Sequence, residues 1–85
     1  MTSSWYVYMV RCADNSLYTG ITTNLSRRID EHNNSPKLSA KYTRTRRPVR
    51  LVYSKKACSR SDASKQEYGL KQLNKQTKEK LIKYF

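Results

Sequence analysis

The segment Trp5–Arg11, WYVYMVR, is apolar or aromatic along both of its alternating faces. Aromatic and β-branched residues in so short a run favour a strand. A strand with one wet face alternates apolar with polar residues, and this one does not, so both of its faces must be covered. The chain has 85 residues, which is one small domain with one modest core.

Ala13-Asp14-Asn15-Ser16 is turn chemistry, and Leu17-Tyr18-Thr19 resumes a strand that Gly20 is expected to end or bend. The two strands make a β-hairpin. Tyr6 and Tyr8 share a face of the first strand. Tyr8 and Tyr18 share a face only if the hairpin connection is odd in length or carries a bulge.

Thr22-Thr23-Asn24 supplies capping side chains for a helix over about Leu25 to Asn33, stopped by Asn33-Asn34-Ser35-Pro36. Its narrow apolar stripe is Leu25 and Ile29. Residues 37–48 read as irregular, with room for a short helical turn. Val49 to Ser54 is a third strand. Ser59 and Asp62 match a capping box before a helix over about Ser61 to Leu73. Gly69 inside that helix costs roughly 1 kcal/mol against Ala, so a close-packing role is expected of it. Asn74-Lys75-Gln76 breaks the pattern, and a last helix runs about Thr77 to Tyr84. The expected architecture is a single α+β domain over 1–85, a small three-stranded, mainly antiparallel sheet flanked by helices in the order ββαβαα.

Eighteen Lys and Arg against six Asp and Glu leave a net charge of +12. Self-repulsion of that size is relieved by a polyanion, and nucleic acid is the expected partner. A membrane is not, because no basic helix carries a broad apolar face and no run approaches the roughly 20 apolar residues of a span. No charged-apolar-small leader is visible, and a cytoplasmic location is expected. Cys12 and Cys58 lie far apart without a C-x-x-C, so two reduced structural thiols are expected rather than a disulfide framework or a zinc site.

Arg28 lies three residues after Leu25 and His32 three after Ile29, so both flank the buried stripe. The plain alternative is a pair of boundary side chains reaching past the core. On the later helix, Glu67 falls in line with Ala63, Leu70 and Asn74, on or beside the apolar face. A carboxylate tucked inward needs a cationic partner. That partner is an arginine, a lysine (Lys71 one turn on, or one from another helix) or a metal ion, since a single carboxylate with waters and a phosphate is an ordinary Mg²⁺ site.

Taken together, "YVY", "YTG", "NLSRRIDEHN" and "ASKQEYGLK", in that order, resemble the GIY-YIG nuclease superfamily, and its small stand-alone bacterial members in particular. The likeness runs from about Trp5 to Ile82. It puts the family's two tyrosines on Tyr8 and Tyr18, its arginine on Arg28, its frequent histidine on His32 and its metal-binding glutamate on Glu67. Asn74 is the candidate for a late family asparagine. Tyr6-Val7 stands where the first motif has Gly-Ile, and Thr19 where the second has Ile.

The resemblance implies a phosphodiester endonuclease using Mg²⁺ or Mn²⁺, cutting DNA or RNA with low sequence specificity or selecting by structure, in DNA repair or processing. Tyr8 is expected to activate water, which requires nearby positive charge to lower a phenol pKa from near 10. Arg28 is expected to hold a non-bridging oxygen, and Tyr18 and His32 to position water or relay protons. Lys37, Lys41, Tyr42, Arg44, Arg46 and Arg47, with Lys71 and Lys75, make the expected nucleic-acid-binding track. The competing expectation is a binding module with little or no catalysis.

Overall fold

The computed structural model describes residues 4–85. Strand β1 (Trp5–Arg11) lies between β2 (Leu17–Thr22) and β3 (Arg50–Ala57), antiparallel to both. The helices are α1 (Leu25–Asn34), α2 (Lys41–Arg44), α3 (Arg60–Gln72) and α4 (Lys75–Lys83). This is the expected α+β architecture. The one addition to the expected order is α2, a single turn inside the segment read as irregular.

The hairpin connection is Cys12 to Ser16, an odd number of residues. The register pairs Tyr8 with Gly20 and Val10 with Tyr18, so the two motif tyrosines share a face. Asn15 takes the left-handed conformation at φ 69°, which asparagine tolerates, and the Asp14 carboxylate accepts from the Ser16 N–H at 3.0 Å. Gly20 does not end the strand: β2 continues to Thr22, and no glycine here has positive φ. Its role is steric and belongs to the site.

Both faces of β1 are covered. Tyr8, Val10 and Cys12 cluster with Val49, and Tyr18, Leu25 and Ile29 pack onto them from β2 and α1. On the other face Val7 and Met9 are fully buried, α3 packs against β1 and β2, and Ala63 of α3 is sealed. Each such aliphatic side chain contributes about 1.5–3 kcal/mol by leaving water. That is how so short a chain holds a three-layer core.

Caps and clamps fix the helices. Asn24 accepts from the Arg27 N–H at 3.0 Å and starts α1. At its other end Asn33 acts like a strand, donating Nδ2–H to Val49 O at 2.9 Å and accepting the Val49 N–H at 2.7 Å. Strand β3 runs three residues past the expected Ser54, because Lys55 and Lys56 continue the pairing with polar side chains that hide it from pattern reading. A bulge interrupts the β1–β3 register between Met9 and Val10. Ser59 caps α3 through the Asp62 N–H at 3.1 Å, and the Asp62 carboxylate accepts from Cys58 N–H at 2.9 Å.

Two further expectations fail. Gly69 is exposed, with nothing within 4 Å of where its Cβ would sit, so close packing is not its reason. Cys58 is exposed and only Cys12 is buried, though both are free thiols. Helix α4 has no buried residue. It is tied to the hairpin by a two-pronged Arg11–Glu79 ion pair and by Lys75 Nζ donating to Asn15 O at 2.9 Å. Among the described residues no helix is long and apolar enough to cross a membrane.

Candidate functional site

The site is built over Gly20. The Tyr8 ring lies so close across the paired strand that a Cβ at position 20 would stand 2.6 Å from its hydroxyl oxygen and 2.8 Å from Cζ. Only a residue without a side chain permits that approach. The Tyr8 oxygen is 2.8 Å from Nε2 of His32, and Nδ1 of His32 is 2.9 Å from Oγ1 of Thr43. Thr43 Oγ1 in turn donates to Ala40 O at 3.0 Å. All three side chains in this file are essentially sealed from solvent. It spans β1, α1 and α2.

Burial sets the protonation of both rings. It pushes the Tyr8 phenol up to about 12, and the nearby Arg28 guanidinium does not overcome it. The expected lowering of this phenol is therefore reversed: desolvation outweighs the surrounding positive charge. Burial also takes the His32 imidazole down to about 4, helped by the positive charge of Arg28. Both groups are neutral at pH 7.

Arg28 and His32, four residues apart on α1, both turn to the sheet. The Arg28 Nη1 donates to Glu31 Oε1 at 2.9 Å and to Leu38 O at 2.6 Å. The guanidinium is thus anchored at one corner, beside the Tyr8 phenol. Tyr18 meets His32 edge-on, with ring centroids 5.4 Å apart. Its ring also stacks on Tyr42 at 5.8 Å, and the Arg46 guanidinium lies over Tyr42 at 4.0 Å.

Glu67 projects from α3 and is half-buried, close enough that its negative charge is felt at Tyr8. Its only charged partner among the described residues is Lys71, at 3.7 Å, and neither of its oxygens accepts a hydrogen bond there. Four of the five residues singled out from the sequence, Tyr8, Tyr18, Arg28 and His32, are thus in one packed group. Glu67 adds its field from the third helix.

The basic track divides. Lys37, Lys41 and Arg44 are exposed, Arg44 with a long bond from Nη2 to Ser39 O at 3.3 Å. Arg46 pairs with Asp14 at 3.0 Å. Arg47 turns inward and ties α1 to the following loop, donating to His32 O at 2.7 Å, Ser35 O at 2.6 Å and Ser39 Oγ at 2.9 Å. Tyr42 lies between Tyr18 and Arg46 rather than open-faced. Lys71 is the Glu67 neighbour, and Lys75 is held at the hairpin. Asn74 caps α4, accepting the Thr77 N–H at 2.8 Å.

Three contributors were not singled out from the sequence: the close approach at Gly20, the Thr43 hydroxyl and the Glu31 carboxylate. The last had a signal, since Glu31 lies one turn after both Arg27 and Arg28. Thr43 had none, being one hydroxyl among several in a basic segment.

This sheet, with a tyrosine on each hairpin strand and an arginine and histidine on the following helix, is the arrangement of a catalytic domain of the GIY-YIG class. The GIY-YIG catalytic domain matches residues 4–80, and the chain belongs to that family. It is 59% identical over 80 residues to a UPF0213 protein of Desulfotalea psychrophila, covering 94% of this chain and 72% of that one. A UPF0213 protein of Staphylococcus haemolyticus is 53% identical over 77 residues, covering 91% and 92%. Among solved structures, the UPF0213 protein BH0048 of Bacillus halodurans is similar at a TM-score of 0.59 and 42% identity, over 95% of this chain and 84% of that one. The protein EF2693 of E. faecalis gives 0.64 and 41%, over 99% and 88%.

Proposed function

We propose that this protein is a metal-dependent endonuclease that hydrolyses phosphodiester bonds in nucleic acid, DNA first, with low sequence specificity or selection by structure, in repair or processing. The observation that carries the proposal is the packing of the Tyr8–His32 pair beside the Arg28 guanidinium, with the Glu67 carboxylate of α3 near enough for its charge to act on the Tyr8 phenol.

Tyr8 and His32 are sealed in the free protein, so the relay operates only once substrate binding opens the Tyr8 oxygen to the attacking water: a proton leaving that water passes to the Tyr8 oxygen while the Tyr8 proton moves to Nε2 of His32. The phenol therefore never has to stand as a free phenolate, which its pKa of about 12 disfavours at neutral pH; the cost moves to the buried His32 imidazole, which at about 4 holds the proton only transiently, against the negative charge building on the phosphate. Arg28, held through Nη1 and directed at the Tyr8 hydroxyl, can offer its remaining N–H groups to a non-bridging oxygen as charge builds. The P–O3′ bond breaks, the 3′-oxygen takes a proton from solvent, and a 5′-phosphate remains. His32 returns its proton to water at the end of the turnover.

Glu67 fits a divalent cation. It is one half-buried carboxylate that, among the described residues, has no hydrogen bond and only a loose lysine neighbour, and Mg²⁺ is commonly held by one or two carboxylates plus waters and substrate oxygens. When bound, the ion would supply charge neutralisation at the phosphate and leaving oxygen.

The second reading, a binding module, is favoured by the self-pairing of Arg28 with Glu31 and of Glu67 with Lys71. Incubation with supercoiled and branched DNA and with RNA, with and without Mg²⁺ or Mn²⁺, separates the two. Metal-dependent nicking by the wild type, lost about 10²–10³-fold in Arg28→Ala and Glu67→Ala with binding kept, is the expected result. Binding to every substrate without a cut leaves the module.

A further inference from the structure

The file Tyr8–His32–Thr43–Ala40 has a direction. The Tyr8 hydroxyl is sealed, and its neighbours are an imidazole and the Arg28 guanidinium. Arginine only donates. Among the described residues His32 Nε2 is then the one acceptor within hydrogen-bond distance of the Tyr8 hydroxyl, so it takes the Tyr8 hydrogen and carries none of its own. A neutral imidazole without hydrogen on Nε2 carries it on Nδ1. Nδ1–H points at Thr43 Oγ1, which is free to accept because its own hydrogen goes to Ala40 O.

We infer that Thr43 is a positioning residue: its hydroxyl holds His32 as the Nδ1–H tautomer and keeps Nε2 bare as the acceptor for the Tyr8 proton. The tautomer follows from the geometry alone. Its catalytic consequence rests on the nuclease reading above. With the opposite tautomer, Nε2–H would donate to the Tyr8 oxygen and occupy the lone pair that has to receive the proton of the attacking water. The Tyr8 hydrogen would then have no acceptor among the described residues, and the relay would be blocked at both ends. A fixed tautomer set by a hydrogen bond at the far ring nitrogen is a known way to aim an imidazole.

The test has a readout independent of activity. In ¹⁵N-labelled wild type at pH 7, the His32 ring should show a protonated Nδ1 and an unprotonated Nε2. Thr43→Val keeps the shape and removes the acceptor, and should give a mixed or reversed ring. Thr43→Ser should restore the wild-type pattern. Where the wild type nicks DNA, Thr43→Val should lower kcat roughly tenfold to a hundredfold at little changed KM, with rescue in Thr43→Ser. A wild-type ring protonated at Nε2 overturns the assignment whether or not any variant folds. A Thr43→Val protein with wild-type tautomer and rate overturns the role of Thr43. An Nδ1–H ring in a wild type that cuts nothing upholds the assignment and sinks the nuclease reading instead.

Discussion

The hydroxyl oxygen of Tyr8 occupies space 2.6 Å from where a side chain at Gly20 would begin. Gly20→Ala therefore has to move the ring or the strand, and both are buried. We expect a loss of about 1–3 kcal/mol, as for other overpacked cores, together with loss of the Tyr8–His32 hydrogen bond. Tyr8→Phe removes the nearest clashing atom but leaves Cζ at 2.8 Å, so it should relieve part of that loss. Additive effects in the double variant, measured by urea unfolding, would contradict the close approach.

Acid should weaken the fold well above the carboxylate range. The native His32 imidazole titrates near 4, below its ordinary 6.5, because burial disfavours its charge. Between these values the unfolded chain binds a proton that the native one refuses. The His32 contribution is full above about pH 6.5 and falls as pH drops towards 4, by about 3 kcal/mol in all at roughly 1.4 kcal/mol per pH unit. Asp14, Asp62 and Glu79, each lowered chiefly by hydrogen bonds, lose their contribution only from their ordinary carboxylate values downward, so they overlap the His32 window at its acid end alone. Urea midpoints at pH 7, 6.2 and 5.5 should slope in the wild type and run nearly flat in His32→Gln. Equal slopes would remove His32 as the cause.

Thr19, where the family motif has Ile, is 3% exposed, and its hydroxyl has no partner among the described residues. An unpaired buried hydroxyl costs about 1–3 kcal/mol. Thr19→Val keeps the shape, suits a strand and should raise stability by about 1 kcal/mol. A neutral or destabilised variant would show that the hydroxyl finds a partner in solution.

Arg47 and Lys41 sit in one basic segment but should respond differently. Arg47→Ala strands three acceptors that its guanidinium now satisfies and should cost about 1–3 kcal/mol of stability. Lys41→Ala, at an exposed position, should leave the melting temperature alone. If about five phosphates are engaged, log K against log salt should slope near −4.5 for the wild type and lose about 0.9 in Lys41→Ala. An unchanged slope would take Lys41 out of the interface.

What the sequence discloses here is mostly periodic or local. The doubly apolar WYVYMVR announces a strand covered on both faces, and the parity rule for Tyr8 and Tyr18 is met by the odd connection from Cys12 to Ser16. The starts of α1 and α3 are legible in Asn24 and Ser59 because a cap is read within three residues. What stays hidden depends on contacts between distant segments. Gly20 reads as a terminator until the ring that crosses it is known. Arg47 looks like its neighbours in charge although it faces inward. The Tyr8 phenol is predicted to fall because composition records the lysines and arginines, whereas the larger effect, desolvation, needs a structure.

Tyr8 belongs at once to the hydrophobic cluster of β1 and to the hydrogen-bonded file ending at Ala40. Replacing it with another natural amino acid alters the shape of the interior and the proton path together, so a dead variant says little about which was lost. Ring-fluorinated tyrosines escape this confusion. They change the acidity of the hydroxyl in graded steps within almost the same outline, and the dependence of any rate on that acidity would isolate the chemistry from the architecture.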